Sequence, residues 1–142
     1  MRKVRDVMSD KLVSCQPDST LEEVAKLMSY QNVGLIPVCD LEHHLMGVVT
    51  DRDLVLRGYA KGVSHNEHVD SVMTQDVISC DQDSTVVEAS ELMADHQIRR
   101  LPVVEDRKLI GIISLGDLAL EQQSNHAAGE ALEDISKRPH HH

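Results

Sequence analysis

The sequence predicts an α+β protein made of two β-α-β-β-α units packed sheet against sheet. Three observations carry that prediction. The stretch from Val4, VRDVMSDKLVSCQPDSTLEEVAKLM, returns from Val69 as VDSVMTQDVISCDQDSTVVEASELM, an internal repeat with an offset of about 65 residues. Within each copy the apolar pattern switches between short strand-like runs and a helix-like stripe. A third stretch, GVVTDRD at Gly47–Asp53, recurs as GIISLGD at Gly111–Asp117. One unit is too small to bury a core alone, so the two must pack together. The expected division is 1–62 for the first repeat, 63–123 for the second and 124–142 for a loose tail.

Each element follows from local signals. Leu12 to Cys15 is a short apolar strand that stops at Gln16-Pro17-Asp18. A helix then starts near Ser19 or Thr20, because Thr20-x-x-Glu23, and Thr85-x-x-Glu88 in the second copy, supply capping boxes. Leu21, Val24, Ala25 and Met28 fall at i, i+3, i+4 and i+7 and form one buried stripe, echoed by Val86, Ala89 and Met93. Leu35 to Cys39 is the second strand. Pro37 inside it donates no ladder bond, which marks a bulge or an edge, and Pro102 repeats it. Leu41-Glu42-His43-His44 turns into the strand Leu45–Thr50, and Glu105-Asp106-Arg107-Lys108 is the matching turn. The helix from Asp51 ends near Gly58, the stretch Gly58–His68 links the copies, and the last repeat helix runs from Ser114 to about Gln123. The first two strands of a unit are then parallel through a crossover, and the last two are a hairpin.

The corner Thr50-x-x-Asp53, like Ser114-x-x-Asp117, joins a buried strand to a helix start. A hydroxyl, helix-start N–H groups and a carboxylate crowd together there. One reading is a helix cap and nothing more. The other is a holder for a phosphorylated sugar, with N–H groups for the anion and a carboxylate for two neighbouring hydroxyl protons. The duplication favours the second.

Composition narrows the function classes. With 41% hydrophobic residues and only Tyr30 and Tyr59 as aromatics, the core is aliphatic and offers no stacking platform to a flat ligand. A net charge of −10 argues against a nucleic-acid groove, and any anionic ligand must be met by local positive charge. No apolar run approaches a membrane span and the N-terminus lacks a signal-peptide stretch, so the expected location is cytoplasmic, with no membrane partner. Cys15, Cys39 and Cys80 show no C-x-x-C spacing, and His140 to His142 are expected to be a tag remnant. No metal site is expected, His43 and His44 being assigned to a solvated turn. No nucleophile elbow, P-loop or dinucleotide fingerprint is present, so the chain is not expected to be an enzyme.

The Asp-Ser-Thr-capped helix, the (Ile/Leu)-Pro-Val strand and the Gly-apolar-apolar-[Thr/Ser]-x-x-Asp corner together resemble a CBS domain. With GVVTDRD and HQIRRLPVV, the chain from Val4 to Gln123 resembles a stand-alone tandem pair, a Bateman module of small bacterial type. The resemblance implies pseudo-two-fold symmetry, two clefts and a regulatory role. It implies an adenosine-containing ligand (AMP, ADP, ATP or S-adenosylmethionine) with no obligatory cofactor, a homodimer of pairs, and an unknown downstream protein. Carried over by position, it assigns Asp53 and Asp117 to a ribose diol and Thr50 and Ser114 to ribose or phosphate. Arg99, Arg100 and Arg52 would meet phosphate. Val13 and Ser14 with Ile36, Pro37 and Val38 would line one adenine slot; Ile78 and Ser79 with Leu101, Pro102 and Val103 would line the other. Gly34 and Leu35 stand where the second copy has Arg99 and Arg100, so the two clefts are expected to differ. Some mycobacterial stress-response pairs of this family carry cysteines near Cys15 and Cys39. That raises a disulfide between them and, as the alternative function, a redox-responsive scaffold without a tight nucleotide. Two buried thiols are the other reading, and Cys80 has no partner because Val104 replaces Cys39.

Overall fold

The computed structural model describes residues 2–122; the expected tail at 124–142 and the three terminal histidines lie outside the described residues. The repeat appears as two similar units. The first holds α1 (Leu21–Gln31), β1 (Leu35–Cys39), β2 (Leu45–Thr50) and α2, which opens as Asp51–Asp53 and continues as a π-helical turn over Leu54–Gly58. The second holds β3 (Cys80–Asp81), α3 (Val86–His96), β4 (Arg100–Glu105), β5 (Lys108–Ser114) and α4 at 115–122.

Both long helices start as the sequence requires. The Thr20 hydroxyl accepts from the Glu23 amide at 3.1 Å while the Glu23 carboxylate accepts from the Thr20 amide at 2.9 Å, and Thr85 and Glu88 repeat the pair. Asn32 and Gln97, both left-handed with φ of 56° and 54°, end them. The α1 stripe buries Leu21, Val24 and Met28, but Ala25, expected in it, is exposed.

The first expected strand is shorter than the sequence suggested. In place of Leu12–Cys15 there is a single parallel bridge between Cys15 and Val38. The Cys15 amide donates to the Pro37 carbonyl at 3.0 Å and the Cys39 amide to the Cys15 carbonyl at 2.8 Å. In the second unit β3 is two residues long and parallel to β4. The bulge expected from the prolines lies one residue on, between Val38 and Cys39 and between Val103 and Val104. Pro37 itself faces Val48, whose own amide and carbonyl turn away to Thr74, so no ladder bond is lost there.

Two aliphatic cores form, and each borrows the segment that precedes the other repeat. Val4 is fully buried with Cys80, Met93, Leu101 and Ile113 of the second unit. Val69, Val72 and Met73 are buried with Val24, Ile36 and Val49 of the first. The backbone follows the same exchange, with Ser9 bridging Ile112 on β5 and Thr74 bridging Val48 on β2. Glycine permits it: a Cβ on Gly47 would meet the Thr74 carbonyl oxygen at 2.8 Å, and one on Gly111 the Ser9 carbonyl oxygen at 3.0 Å.

The hairpin tips join the units symmetrically. The Leu45 amide donates to the Arg107 carbonyl at 2.9 Å and the Leu109 amide to the His43 carbonyl at 3.0 Å, a reciprocal pair that marks the pseudo-two-fold axis. Asp106 and Arg107 are both left-handed (φ 51° and 68°), the geometry a two-residue hairpin turn needs.

Candidate functional site: the strand-to-helix corners and the cleft between repeats

Both corners close as capping boxes. The Thr50 amide donates to Asp53 Oδ2 at 2.9 Å and the Asp53 amide to the Thr50 hydroxyl at 3.1 Å. Ser114 and Asp117 repeat this at 2.9 and 3.1 Å. Each carboxylate thus spends Oδ2 on its cap and keeps Oδ1 for other partners.

The amides around the corners differ. In the first, Asp51 donates to the Gly34 carbonyl, Arg52 to the Asp51 carboxylate and Asp53 to Thr50, so all three first-turn N–H groups are used internally. This corrects the expectation that helix-start N–H groups are left there for an anion. In the second corner Leu115 donates to the Arg99 carbonyl at 2.8 Å, and no acceptor among the described residues meets the Gly116 amide. Asp51 leans over Gly34, where an added Cβ would meet its Oδ2 at 3.1 Å; the second unit has uncharged Leu115 in its place.

A cleft of about 310 Å3 opens between the repeats at the second corner. Its apolar wall is Val13, Val33, Leu35, Pro37 and Ile112; its polar wall is Ser9, Lys11, Gln31, Arg100, Ser114 and Asp117. The fold therefore brings Asp117, Ser114 and Arg100 of one repeat against Val13 and Pro37 of the other. Ile36, Val38, Leu101 and Val103 are fully buried in the cores, so they can offer a ligand backbone only. Ser14, Ile78 and Ser79 are half-buried outside this cleft, and Pro102 is buried. Arg52 and Arg99 are exposed. Lys11, Ser9 and Gln31 escaped sequence reasoning. Lys11 and Ser9 stand in the exchanged segment, whose position no local pattern records.

At the first corner Asp53, 15% exposed, has Arg57 Nε 4.0 Å from its Oδ1. The same guanidinium donates to the Val72 and Met73 carbonyls at 3.3 and 3.1 Å, tying the exchanged segment to the corner. The second unit has Glu121 in this position, paired with Arg2 at 2.8 Å.

All three cysteines are free thiols, so the Cys15–Cys39 disulfide is not formed. The register explains it. Cys15 pairs with Val38 and shares its face toward the first core, whereas Cys39, the next residue along β1, points to the other face beside Ser14. Burial, reinforced by Cys39 and Glu23, pushes the Cys15 thiol up to about 12. Burial and Asp40 push Cys39 up to about 11, against a hydrogen bond from Ser14, and burial with Asp81 does the same to Cys80.

Among the described residues no helix is long and apolar enough to cross a membrane. The sequence model described as CBS domain matches residues 4–58 and 69–123. The CBS domain-containing protein YhcV of Bacillus subtilis (strain 168) is 43% identical over 141 residues, 99% of this chain and 100% of that protein. Among solved structures, CBSX2 in complex with AMP is 27% identical with a TM-score of 0.79, covering 89% of this chain and 99% of that one. The CBS pair of MJ0100 with 5-methylthioadenosine and S-adenosyl-L-methionine is 25% identical, TM-score 0.76, covering 84% and 98%. Hypoxic Response Protein I with two coordinated zinc ions is 29% identical, TM-score 0.77, covering 83% and 97%.

Proposed function

The chain belongs to the CBS domain family as a tandem pair, a regulatory module, and from that premise we propose that it senses an adenosine-containing ligand of the AMP, ADP, ATP or S-adenosylmethionine class in the cleft between its repeats. One observation carries the reading: the Ser114–Asp117 corner and the Val13–Pro37 wall, from different repeats, face each other across one cleft. Its volume of about 310 Å3 lies at the lower end of small-molecule sites. The aliphatic wall suits a purine without stacking, and Asp117 Oδ1, not used by the cap, would accept from a ribose diol. Solved relatives that hold AMP or S-adenosyl-L-methionine support the ligand class. A ligand seated here touches both repeats and the exchanged segment at Ser9, so occupancy would bias how the repeats sit together. The role is signalling to a downstream protein rather than catalysis, from a homodimer of pairs, in the cytoplasm. The division into repeats at 1–62 and 63–123 belongs to the same proposal.

A second reading, a scaffold with no tight ligand, has its own observation: both capping boxes are complete without any ligand. A thermal-shift panel with AMP, ATP, NADH and S-adenosylmethionine separates the two. A ligand at 100 times its dissociation constant adds about 2.7 kcal/mol, or roughly 5–11 °C for a domain of this size. No shift with any of the four would leave the scaffold.

A further inference from the structure

The charges around the two corners differ. In the cleft at the second corner, Lys11 and Arg100 stand against one carboxylate, Asp117. Neither cation forms an ion pair among the described residues. The alignment that equates Met8 with Met73 and Cys15 with Cys80 equates Lys11 with Asp76. By that alignment the first corner has Asp76 for Lys11 and Asp51 for Leu115, besides its own Asp53; its cations are exposed Arg52 and Arg57, the latter 4.0 Å from Asp53 Oδ1, and its first-turn amides are all used. On a chain of net charge −10, a lysine and an arginine lining one cleft, without an ion pair among the described residues, are the local positive charge an anion requires.

We infer that the Ser114–Asp117 cleft is selective for phosphate-bearing adenosyl ligands and that Lys11 is the residue that sets this selectivity. The inference rests on the adenosyl-binding reading above and narrows it. A nucleotide phosphate meets Lys11 and Arg100. Adenosine leaves both cations without a partner. S-adenosylmethionine, whose sulfonium and ammonium outweigh its single carboxylate, carries net positive charge and is disfavoured beside them. The twofold-related corner has aspartates at the positions that align with Lys11 and Leu115, all its first-turn amides are used, and its Arg57 is taken up by Asp53 and the Val72 and Met73 carbonyls, so phosphate is disfavoured there and a chain takes one nucleotide. Lys11 comes from the segment that leads out of the second core into the first repeat, which makes its place at the second corner a product of the exchange.

Calorimetric titration of the full chain with AMP, adenosine and S-adenosylmethionine tests it. The expected result is one AMP per chain, with adenosine and S-adenosylmethionine weaker by about ten-fold or more. Lys11→Asp should lower AMP affinity by about ten-fold or more while adenosine affinity stays within about two-fold, and Lys11→Arg should restore AMP binding. Lys11 is exposed, so these variants should fold, which circular dichroism checks. Equal affinity for AMP and adenosine, two equal AMP sites, or an unchanged AMP affinity in Lys11→Asp would overturn the selectivity and leave adenosyl binding standing. Failure of all three ligands to bind would overturn both.

Discussion

Gly47 lies against Met73: a Cβ on Gly47 would stand 2.9 Å from the Met73 sulfur, nearer than real Cβ atoms approach a neighbour. The relationship recurs between Gly111 and Met8, where the corresponding distance is 2.5 Å. These pairs are where the segment preceding one repeat crosses the hairpin of the other, so they tie the exchange to two glycines.

Gly47→Ala and Gly111→Ala should each lower stability by about 1–3 kcal/mol, the range for overpacking a tight site. The methionine can yield, but the Thr74 and Ser9 carbonyls belong to bridged backbone and cannot. Thermal melts check this; unchanged midpoints would show that the crossings are loose.

Asp117→Asn separates cap from ligand. The amide oxygen of asparagine can still accept from the Ser114 amide, so the loss should be about 1 kcal/mol or less, the scale of a cap. Each charge-assisted bond to a ribose hydroxyl is worth about 1.5–3 kcal/mol, so AMP affinity should fall about ten-fold or more, and 2′-deoxy-AMP should bind the unaltered protein poorly. Asp53→Asn should be equally mild for the fold. Calorimetry with both nucleotides decides it, and equal affinities would sink the ribose assignment.

The thiols give a pH dependence with a definite sign. All three are held above their ordinary value of 9.0, Cys15 at about 12 and Cys39 and Cys80 at about 11. Folding therefore favours the neutral thiol. That contribution is whole below pH 9.0 and is lost as pH rises toward 11 to 12. Denaturant melts from pH 8 to about 10.5 should show falling stability, with a shallower fall in a Cys15→Ala, Cys39→Ala, Cys80→Ala variant. A slope unchanged by the substitutions would remove the thiols as its cause.

A groove of about 540 Å3 lined by Leu21, Ala25, Leu54, Tyr59 and Val63 lies beside exposed Val55 and Leu56, an apolar face on the α1–α2 side. The expected outcome is a homodimer through this face, with Tyr59→Asp shifting it toward monomer. Sedimentation giving the 15.8 kDa of one chain at micromolar concentration would contradict it.

The sequence by itself determined the repeat, the two long helices with their capping boxes, the hairpins and the corners that pair Thr50 with Asp53 and Ser114 with Asp117. These features are local: a cap spans three residues and a helical stripe seven, so the residues that make them stand close together in the chain. Only the tertiary structure decided that Val4 belongs to the second core and Val69 to the first, that Cys15 and Cys39 face opposite ways, and that Lys11 stands beside Arg100 and Asp117. The physical reason is distance along the chain. Lys11 and Asp117 line one cleft because Ser9 bridges Ile112 across most of the sequence, a pairing chosen by how two aliphatic cores fill, and one that leaves no period in the sequence around either residue.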